Sequence, residues 1–304
     1  MRKSNTLVKI VPYDSNWPTI FEEEAKLLKQ ALGSNCITIY HIGSTSIPGL
    51  SAKPILDILP VVKDILEVDQ ATEAMERLGY EVKGEAGMAF RRFFQTGNHN
   101  VHVYQEQDPE ISRYLKFRDW MRSHPDDALA YATLKLTLAQ KFPQDILKYC
   151  SGKDAFVASI DTKDGYDGYR CVQALTDREW KTVHSLRKDP LEDSFKQKDH
   201  IHFVFYKNAE VIGYAHLQLL PESKAILQSI AIDKPYQKLG FGSQLLQLCE
   251  RWLSHQGVKT LLVQAPKTAY IFYSTHGYLD ISSNDSINKD DLQNVQMSKS
   301  LNLS

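Results

Sequence analysis

Cysteine is scarce in this sequence of 304 residues, in which only four occur: Cys36, Cys150, Cys171 and Cys249. They are far apart and form no Cys-x-x-Cys pair, so free thiols in a reducing compartment are favoured over a disulfide framework or a zinc site. Long apolar runs are missing too, which argues against a membrane-spanning helix. The opening segment, MRKSNTLVKIVPYD, has no apolar stretch typical of a signal peptide. We therefore expect a cytoplasmic protein.

The chain also has no excess of either charge, because it contains 36 basic and 37 acidic residues. A balanced chain has no global field that attracts nucleic acid or an anionic membrane, although local basic sites remain open. The length suffices for two domains. The segment DTKDGYDG, residues 161–168, is polar and has no apolar period. We place the boundary there, with domains of residues 1–163 and 164–304.

The most informative stretch is ILQSIAIDKPYQKLGFGSQLLQL, residues 226–248. Its first part alternates as a half-buried strand does, around Ile226, Gln228, Ile230 and Ile232, and from Phe241 onward apolar residues recur at helical spacing. Two glycines in the connection let a ligand approach the backbone, and the amides of a helix start favour negative charge. The pattern predicts a phosphate or pyrophosphate site. A tight strand-to-helix connection that binds nothing is the alternative.

The full spacing, Gln-x-x-Gly-x-Gly after a buried strand, resembles the acetyl-CoA loop of the GNAT family of N-acetyltransferases. The resemblance implies a mixed sheet with helices from Gly168 to the C-terminus, in the order strand, helix, three strands, helix, strand, helix, strand. It also implies that backbone amides hold the CoA pyrophosphate and that a backbone amide of the central strand polarises the thioester carbonyl. The cofactor would be acetyl-CoA, and the implied binding residues are Ile230, Ala231, Ile232, Gln237, Lys238, Leu239, Gly240, Phe241, Gly242 and Ser243.

A second segment, AYIFYSTHGYLD, resembles the same family and implies that Tyr273 is the general acid that protonates the leaving thiolate. A packing tyrosine beside Phe272 is the alternative. The general base is not visible, because Gln228 or Ser229 stands where many relatives carry Glu. His216 and Glu222 are candidates, directly or through water, and each also fits a surface polar residue.

The acceptor is expected to be an amine of a small molecule or a peptide. Residues 177–199 would shape its pocket, and they carry both signs of charge. At the start of this segment, Thr176 and Glu179 stand at capping-box positions for a helix from Asp177.

The first half contains HIGSTSIPGLSAKPILDILPVV, residues 41–62. Three residues at a strand end, Gly43, Ser44 and Thr45, can offer amides and a hydroxyl to a phosphate, and Lys53 adds a positive charge. In the next strand Asp57 interrupts an apolar face, where a carboxylate is costly unless it is paired or binds a cation.

Asp57 is therefore a candidate magnesium ligand. The position two residues on, where a two-metal site needs a second carboxylate, holds Leu59. His102 of a later strand could join Asp57, or could be a hydrogen-bonded core histidine. Alternation sends His99 to the opposite face, so the two histidines are not expected to share a metal.

Four segments of this half resemble the GrpB family, also called UPF0157: PYDSNWP, HIGSTSIPGLSAKPILDI, NHNVHVY and FRDWMRSHPDDALAYATLKLTLAQKFP. The resemblance implies a nucleotidyltransferase-like mixed sheet with helices. Arg118 and Lys135 match strongly patterned positions of the family, either as phosphate ligands or as solvated or ion-paired helix residues. The family occurs alone or fused to other enzymes, including a dephospho-CoA kinase, and its activity is poorly defined.

The sequence thus favours an acetyl-CoA-dependent N-acetyltransferase with an N-terminal nucleotide- or phosphate-binding module. Two alternatives remain open. One is nucleotide binding or nucleotidyl transfer in the first half, with Mg²⁺ at Asp57. The other is a protein that binds CoA or nucleotides without catalysis.

Overall fold

The chain is described by a computed structural model that covers residues 7–175, 177–186, 198–282 and 294–301. Its contacts divide it into two compact units, Met1–Arg170 and Cys171–Ser304. Within the covered ranges, no helix is both long and apolar enough to cross a membrane. Thr176, predicted as a helix cap, lies outside the described residues, and so do residues 187–197 of the segment expected to shape the acceptor pocket.

The N-terminal unit is built on a five-stranded mixed sheet in the order β1-β2-β5-β4-β3. β2 and β5 are parallel, and the other neighbouring pairs are antiparallel. The strands are β1 (Cys36–Ile42), β2 (Leu56–Val62), β3 (Glu81–Val82), β4 (Arg92–Gln95) and β5 (His99–Gln105). The helices are α1 (Trp17–Leu32), α2 (Thr72–Arg77), α3 (Pro109–Ser123), α4 (Pro125–Lys141), α5 (Ile146–Ser151) and α6 (Asp154–Lys163).

Strand β2 is apolar on both faces because helices cover both sides of the sheet. On one face Leu56, Ile58 and Val62 join a core that includes Leu28 of α1 and Met75 of α2. The opposite face forms a separate core with residues of α3, namely Ile42, Leu59, Val61 and Tyr104 against Ile111, Tyr114 and Leu115. Asp57 is the one residue of β2 that is only half-buried. The carboxylate of Asp57 therefore lies where the cores that cover β2 end.

The C-terminal unit contains a seven-stranded sheet in the order β11-β12-β10-β9-β8-β7-β6. β9 and β10 are parallel, whereas β7/β8, β8/β9 and β10/β12 are antiparallel. The strands are β6 (Tyr169–Gln173), β7 (His200–Lys207), β8 (Glu210–Leu220), β9 (Lys224–Ile232), β10 (Thr260–Pro266), β11 (Leu279–Asp280) and β12 (Asn294–Ser300). The helices are α7 (Asp177–Leu186), α8 (Phe241–His255) and α9 (Tyr270–Thr275).

The two long helices of this unit lie on opposite faces of the sheet. Strand β7 alternates, so Phe203 meets Trp252 of α8 at a ring distance of 5.2 Å, whereas Val204 and Tyr206 pack with Val183 of α7. The expectation of two domains, each a mixed sheet with helices, is confirmed. The helices α5 and α6 were not predicted, and α6 extends into the polar segment 161–168 in which the domain boundary was placed.

Candidate functional site

A bulge in β9 shapes the centre of the C-terminal sheet. Across the β8/β9 pair, His216 stands opposite Ser229 and Leu217 stands opposite Leu227, so the backbone of Gln228 has no paired residue on β8. One extra residue in a strand bends it and increases its twist. From this point β9 turns away from its other neighbour. Pairing with β10 ends at Leu227, which is opposite Val263.

A cleft of about 690 Å³ opens where the two strands separate. This volume lies within the range of small-molecule and cofactor sites, about 300–1,000 Å³. One wall is β9 from Ile226 to Ile232, and the other comes from β10, α9 and β12. The sequence predicted that Ile226, Ile230 and Ile232 share a face of β9. They are half-buried in the cleft wall, and the fully covered residues of β9 are Ala225 and Leu227.

The glycine-bearing connection brings the start of α8 to this cleft. Gly240 adopts a left-handed conformation with φ of 88°, and α8 begins at the next residue. Gly242, in the first turn, lines the cleft. The first amides of an α-helix have no partner within the helix, so they are available to an anionic ligand. The side-chain amide of Gln237 donates a hydrogen bond of 2.8 Å to the backbone carbonyl of Ile232. This bond ties the loop before α8 to the end of β9.

The predicted cofactor residues divide into two sets. The cleft wall contains Ile230, Ala231, Ile232 and Gly242. The wall does not include Gln237, Lys238, Leu239, Gly240, Phe241 or Ser243, which form or follow the connection. Phe241 is turned into the core, with 9% of its surface exposed, and Leu239 is 64% exposed. Any role of this second set in binding would come from backbone amides.

Tyr273 lies on α9 and lines the cleft. Only 5% of its surface is exposed, and burial raises its pKa to about 12, with a smaller contribution from Cys249. Its ring packs edge-on against Phe272 and Tyr278. The phenol is therefore a protonated donor at the edge of the cleft over the whole physiological pH range.

Neither candidate base lies in the cleft wall. His216 is 1% exposed, and its Nε2 lies 2.7 Å from Nδ1 of His200. Glu222 stands in the turn between β8 and β9, where its exposed carboxylate accepts a hydrogen bond from Lys224 at 2.6 Å. His216 is enclosed within the sheet packing and Glu222 is exposed in the turn, and neither residue lines the cleft.

Sequence reasoning missed the polar residues that do line the cleft beyond β9, which are Gln264, Asn294 and Gln296. The signal for Asn294 and Gln296 was the alternation of polar and apolar residues in β12. Among the described residues, the wall carries no charged side chain. Ser229, also in the wall, has a buried hydroxyl with no hydrogen-bond partner in the described part of the chain. The cleft offers neutral polar groups to a ligand.

A second cavity, of about 170 Å³, lies in the N-terminal unit. The Asp57 carboxylate faces it, accepts a hydrogen bond from the Asn100 amide at 2.9 Å, and lies 3.6 Å from Nε2 of His102. Burial alone would raise the pKa of Asp57, but contacts with His102, Asn100 and Lys53 outweigh it and the pKa lies below its usual value. The other lining residues are Ser44, Ala52, Ile55, Lys135, Tyr149, Cys150 and Lys153.

Three lysines give this cavity a positive character. Lys53 and Lys153 both approach Tyr149, with their ammonium groups 5.5 Å and 4.9 Å from its ring centre. Lys135 is 2% exposed, and its Nζ donates to the Ser51 carbonyl at 2.5 Å. Burial, and next the charge of Lys153, lower the pKa of Lys135 to about 7. Sequence reasoning named Lys135 as a possible phosphate ligand without linking it to Asp57, and it missed Lys153 and Asn100.

The predicted N-terminal residues also divide into two sets. Ser44, Lys53 and Asp57 meet at the cavity. Thr45 is 1% exposed and lies 3.0 Å from Nε2 of His41, so its hydroxyl is used within the fold. Gly43 packs against the side chain of Asp57. His102 supports Asp57 from outside the cavity wall. Arg118 donates to the carbonyl of His41.

These groups do not fit a magnesium ion. Mg²⁺ prefers several oxygen ligands, yet the nearest polar neighbours of the Asp57 carboxylate are the Asn100 amide nitrogen and the His102 ring. Three lysines in the same wall would repel a cation. Within the described ranges, Asp57 belongs to no group of three metal-ligating side chains.

A mixed sheet that splits between two parallel strands, with a helix start at the mouth of the split, is the architecture of an acyl-CoA N-acyltransferase domain. Residues 166–301 match the model of the acetyltransferase (GNAT) domain. Residues 7–163 match the model of the GrpB protein, and since this match spans half of the chain, the chain belongs to the GrpB family. It combines a GrpB domain with a GNAT domain, so both resemblances are confirmed.

Each of the following relatives matches about half of the chain. UPF0157 protein YqkA of Bacillus subtilis is 45% identical over 158 residues, which cover 51% of this chain and 46% of YqkA. A UPF0157 protein of Pseudomonas aeruginosa is 40% identical over 161 residues, covering 50% of this chain and 66% of that protein. The crystal structure of the conserved protein GrpB from Enterococcus faecalis matches this chain with 45% sequence identity and a TM-score of 0.50. The match covers 51% of this chain and 96% of the Enterococcus faecalis chain.

Proposed function

We propose that the C-terminal unit transfers an acetyl group from acetyl-CoA to an amine of a small molecule or peptide by direct attack. The observation that carries this proposal is the separation of β9 from β10 beyond Leu227, with Gly242 of α8 at the mouth of the resulting cleft. The match to the acetyltransferase domain model supports the same reading.

In this proposal the amides at the start of α8, from Leu239 to Ser243, hold the CoA pyrophosphate. The thioester lies along β9, where a backbone amide near Ile230–Ile232 donates to the carbonyl oxygen as it gains charge. The amine nitrogen forms a bond to the acetyl carbon, and the carbon–sulfur bond breaks. Tyr273 gives its proton to the leaving thiolate.

The amine must lose a proton during the attack. Since the described part of the cleft wall has no carboxylate or histidine, a water molecule held by neutral groups such as Ser229 and Gln264 is the proposed acceptor of this proton. An uncharged wall also favours an acceptor whose amine enters in its neutral form, because no side chain there compensates an ammonium charge.

Two measurements on the full chain test this function. Acetyl-CoA at a hundred times its dissociation constant is expected to stabilise the protein by about 2.7 kcal/mol, and release of free CoA should depend on an added amine. A Gly242→Asp variant, which puts a carboxylate at the mouth of the cleft, is expected to lose the stabilisation. If millimolar acetyl-CoA leaves the unfolding temperature unchanged, the proposal is overturned.

We further propose that the N-terminal unit binds a small anion, such as the phosphate group of a metabolite. Three lysines and Ser44 around one cavity favour this reading. The cavity volume of about 170 Å³ is below the range for drug-sized ligands, about 300–1,000 Å³. The cavity is therefore better suited to a phosphate group carried by a small molecule than to a whole nucleotide with its metal ion.

Inorganic phosphate, pyrophosphate and ATP, each with and without Mg²⁺, are the probes for this second proposal. Phosphate or pyrophosphate is expected to stabilise the protein without Mg²⁺, and Lys153→Met to abolish the effect. Lys148→Met is the control, because Lys148 is exposed on α5 and pairs with Asp145. Stabilisation by ATP only in the presence of Mg²⁺ would instead favour nucleotide binding at Asp57.

A further inference from the structure

Three histidines form a row on one face of the C-terminal sheet. His200 and His202 stand two residues apart on β7 and therefore point to the same face. His216 stands directly opposite His202 on β8. One ring nitrogen from each histidine can be chosen so that all three lie within 4.8 Å of one another. It is the one group of three metal-ligating side chains found in the described part of the chain.

The row is tightly packed. Nδ1 of His200 lies 2.7 Å from Nε2 of His216, and the rings of His202 and His216 are stacked with their centres 4.1 Å apart. His202 and His216 are each 1% exposed, whereas His200 is half-buried. Burial of three imidazoles together is unfavourable unless their polar atoms are used. His200 and His216 use one nitrogen each in a mutual contact of hydrogen-bond length, and a bound ion would replace this contact.

Oxygen atoms lie near two of the nitrogens that face away from the cluster, and the contact of His202 is of hydrogen-bond length. Nδ1 of His202 lies 2.6 Å from the Tyr214 hydroxyl, and Nε2 of His200 lies 3.9 Å from the Asp199 carboxylate. In metal sites, the second nitrogen of a ligating histidine commonly donates to such an oxygen, which sets the ring orientation and the tautomer. The arrangement leaves Nε2 of His202 and Nδ1 of His200 directed at the cluster.

We propose that His200, His202 and His216 bind a divalent transition-metal ion, with Zn²⁺ as the first candidate. Imidazole nitrogens suit zinc, copper and nickel, whereas Mg²⁺ and Ca²⁺ require oxygen ligands. Three protein ligands leave a fourth position of a tetrahedral zinc ion open to water or another ligand. This metal site is separate from the proposed acetyl transfer, which requires no metal.

Small side-chain movements accommodate the ion. With zinc–nitrogen bonds of about 2.0–2.1 Å, two ligand nitrogens are about 3.4 Å apart in a tetrahedral site. The His200–His216 pair, now at 2.7 Å, opens by a fraction of an ångström. The stacked rings of His202 and His216 separate if the His216 ring rotates about χ2, a torsion with a broad distribution in histidine, while His202 keeps its contact with Tyr214.

The site lies beside the acetyl-CoA cleft within the same sheet. His216 pairs with Ser229 of β9, and Ser229 lines the cleft. The ion would therefore cross-link β7 to β8, and β8 is hydrogen-bonded to the strand that forms the cleft wall. Metal binding should consequently raise the stability of the C-terminal unit.

The test uses the untagged full chain after removal of metal by a chelator. Zn²⁺ is titrated in competition with a chromophoric chelator, and Co²⁺ is added separately to record its visible absorption. We expect one equivalent of either ion to bind, tetrahedral Co²⁺ bands to appear, and Zn²⁺ to raise the unfolding temperature. Tyr214→Phe, which removes the partner of His202, should weaken zinc binding by about 10- to 100-fold.

Two ligand variants and one control complete the design. His200→Gln changes the least buried member and is expected to fold, while His216→Gln removes the central one, and both should lose the stoichiometric binding and the Co²⁺ bands. His124→Gln, on the exposed surface of the N-terminal unit, should bind as the native chain does. The proposal is overturned if the native chain binds neither ion stoichiometrically, or if His200→Gln and His216→Gln bind Zn²⁺ as tightly as the native chain.

Discussion

The α-carbon of Gly43 packs against the side chain of Asp57, so closely that a Cβ atom at position 43 would lie 2.9 Å from Cβ of Asp57 and would overlap its carboxylate. Gly43 also has a φ of +67°, a backbone angle that residues other than glycine rarely adopt. Two independent constraints thus require glycine here. Together they keep the Asp57 carboxylate directed at the lysine-lined cavity of the N-terminal unit.

Gly43→Ala is therefore expected to destabilise the N-terminal unit by more than the cost of its backbone conformation alone. A residue with positive φ costs about 1–3 kcal/mol, and displacement of Asp57 adds to this cost. The matched control is Gly49→Ala, because Gly49 has a φ of +78° and a Cβ atom added there would meet no atom within 4 Å. Calorimetric unfolding of both variants measures the difference. Equal losses in the two variants would contradict a constraint from Asp57.

Lys135 predicts a specific pH dependence of stability. Burial and the charge of Lys153 lower its pKa from 10.5 to about 7. Between these values the unfolded chain binds more protons than the folded one, so the native protein gains stability as pH rises from about 7 towards 10. Lys135→Met lacks this contribution. We expect the native chain to gain about 2 kcal/mol relative to the variant between pH 7 and pH 9.

Chemical denaturation at several pH values measures this difference. The slope of the unfolding free energy against pH is compared between the native chain and the variant. The variant also leaves the Ser51 carbonyl without its partner, but this cost does not depend on pH and therefore does not affect the slope. Parallel stability curves for the native chain and Lys135→Met would show that Lys135 titrates in the folded protein as it does in the unfolded one. Phosphate binding should also weaken above pH 7, since the neutral amine no longer attracts an anion.

The sequence predicted the strand, turn and helix around Gly240 well because these depend on local period. The alternation of β9, the helical spacing from Phe241 and the turn at Gly240 are all local signals. The bulge at Gln228, by contrast, depends on which residues of β8 pair with β9. This pairing opens the cleft, and it places His216 on a buried row instead of in the cleft wall.

Long-range contacts explain the other misses. Lys135 of α4 and Lys153, which precedes α6, reach the cavity of Asp57 from about 80 to 100 positions along the chain, so no spacing links them to it. Two of the three histidines did carry a local signal, since His200 and His202 are two residues apart and therefore lie on one face of a strand. The third member became visible only when the β7/β8 register set His216 opposite His202.

Gly242 offers a test that separates a binding role from a structural one. A Cβ atom at this position would lie 3.7 Å from the Phe272 ring, an ordinary contact, so the unliganded fold has room for it. Alanine is preferred over glycine in helices by up to about 1 kcal/mol. We expect Gly242→Ala to be at least as stable as the native chain, but to bind acetyl-CoA about tenfold more weakly, a loss of about 1.4 kcal/mol.

Isothermal titration with acetyl-CoA and thermal unfolding measure the two effects. Gly257→Ala should give the opposite pattern. Gly257 follows α8 with a φ of +78° and is absent from the cleft wall, so the variant should lose stability and keep its affinity. Undiminished affinity of Gly242→Ala would argue that the cofactor does not approach the backbone at this turn.

Tyr273 is expected to control the chemical step and not cofactor binding. A general acid contributes about 10²- to 10⁴-fold to a rate, so Tyr273→Phe should lower turnover by a factor of this order while acetyl-CoA affinity is retained. Tyr278→Phe is the matched control. The Tyr278 ring lies 5.3 Å from that of Tyr273, but its hydroxyl donates to Glu250 and it does not line the cleft.

Tyr278→Phe should therefore lose stability, by about 1.5–3 kcal/mol for a hydrogen bond to a charged acceptor, although Glu250 keeps its contact with Lys299, and its turnover per folded molecule should be unchanged. The pH profile adds a second readout. Since burial raises the pKa of Tyr273 to about 12, the phenol stays protonated at pH 7–10, and loss of this proton should not limit the rate there. Equal turnover of Tyr273→Phe and the native chain across that range would show that the thiolate receives its proton from another donor, such as water entering the cleft.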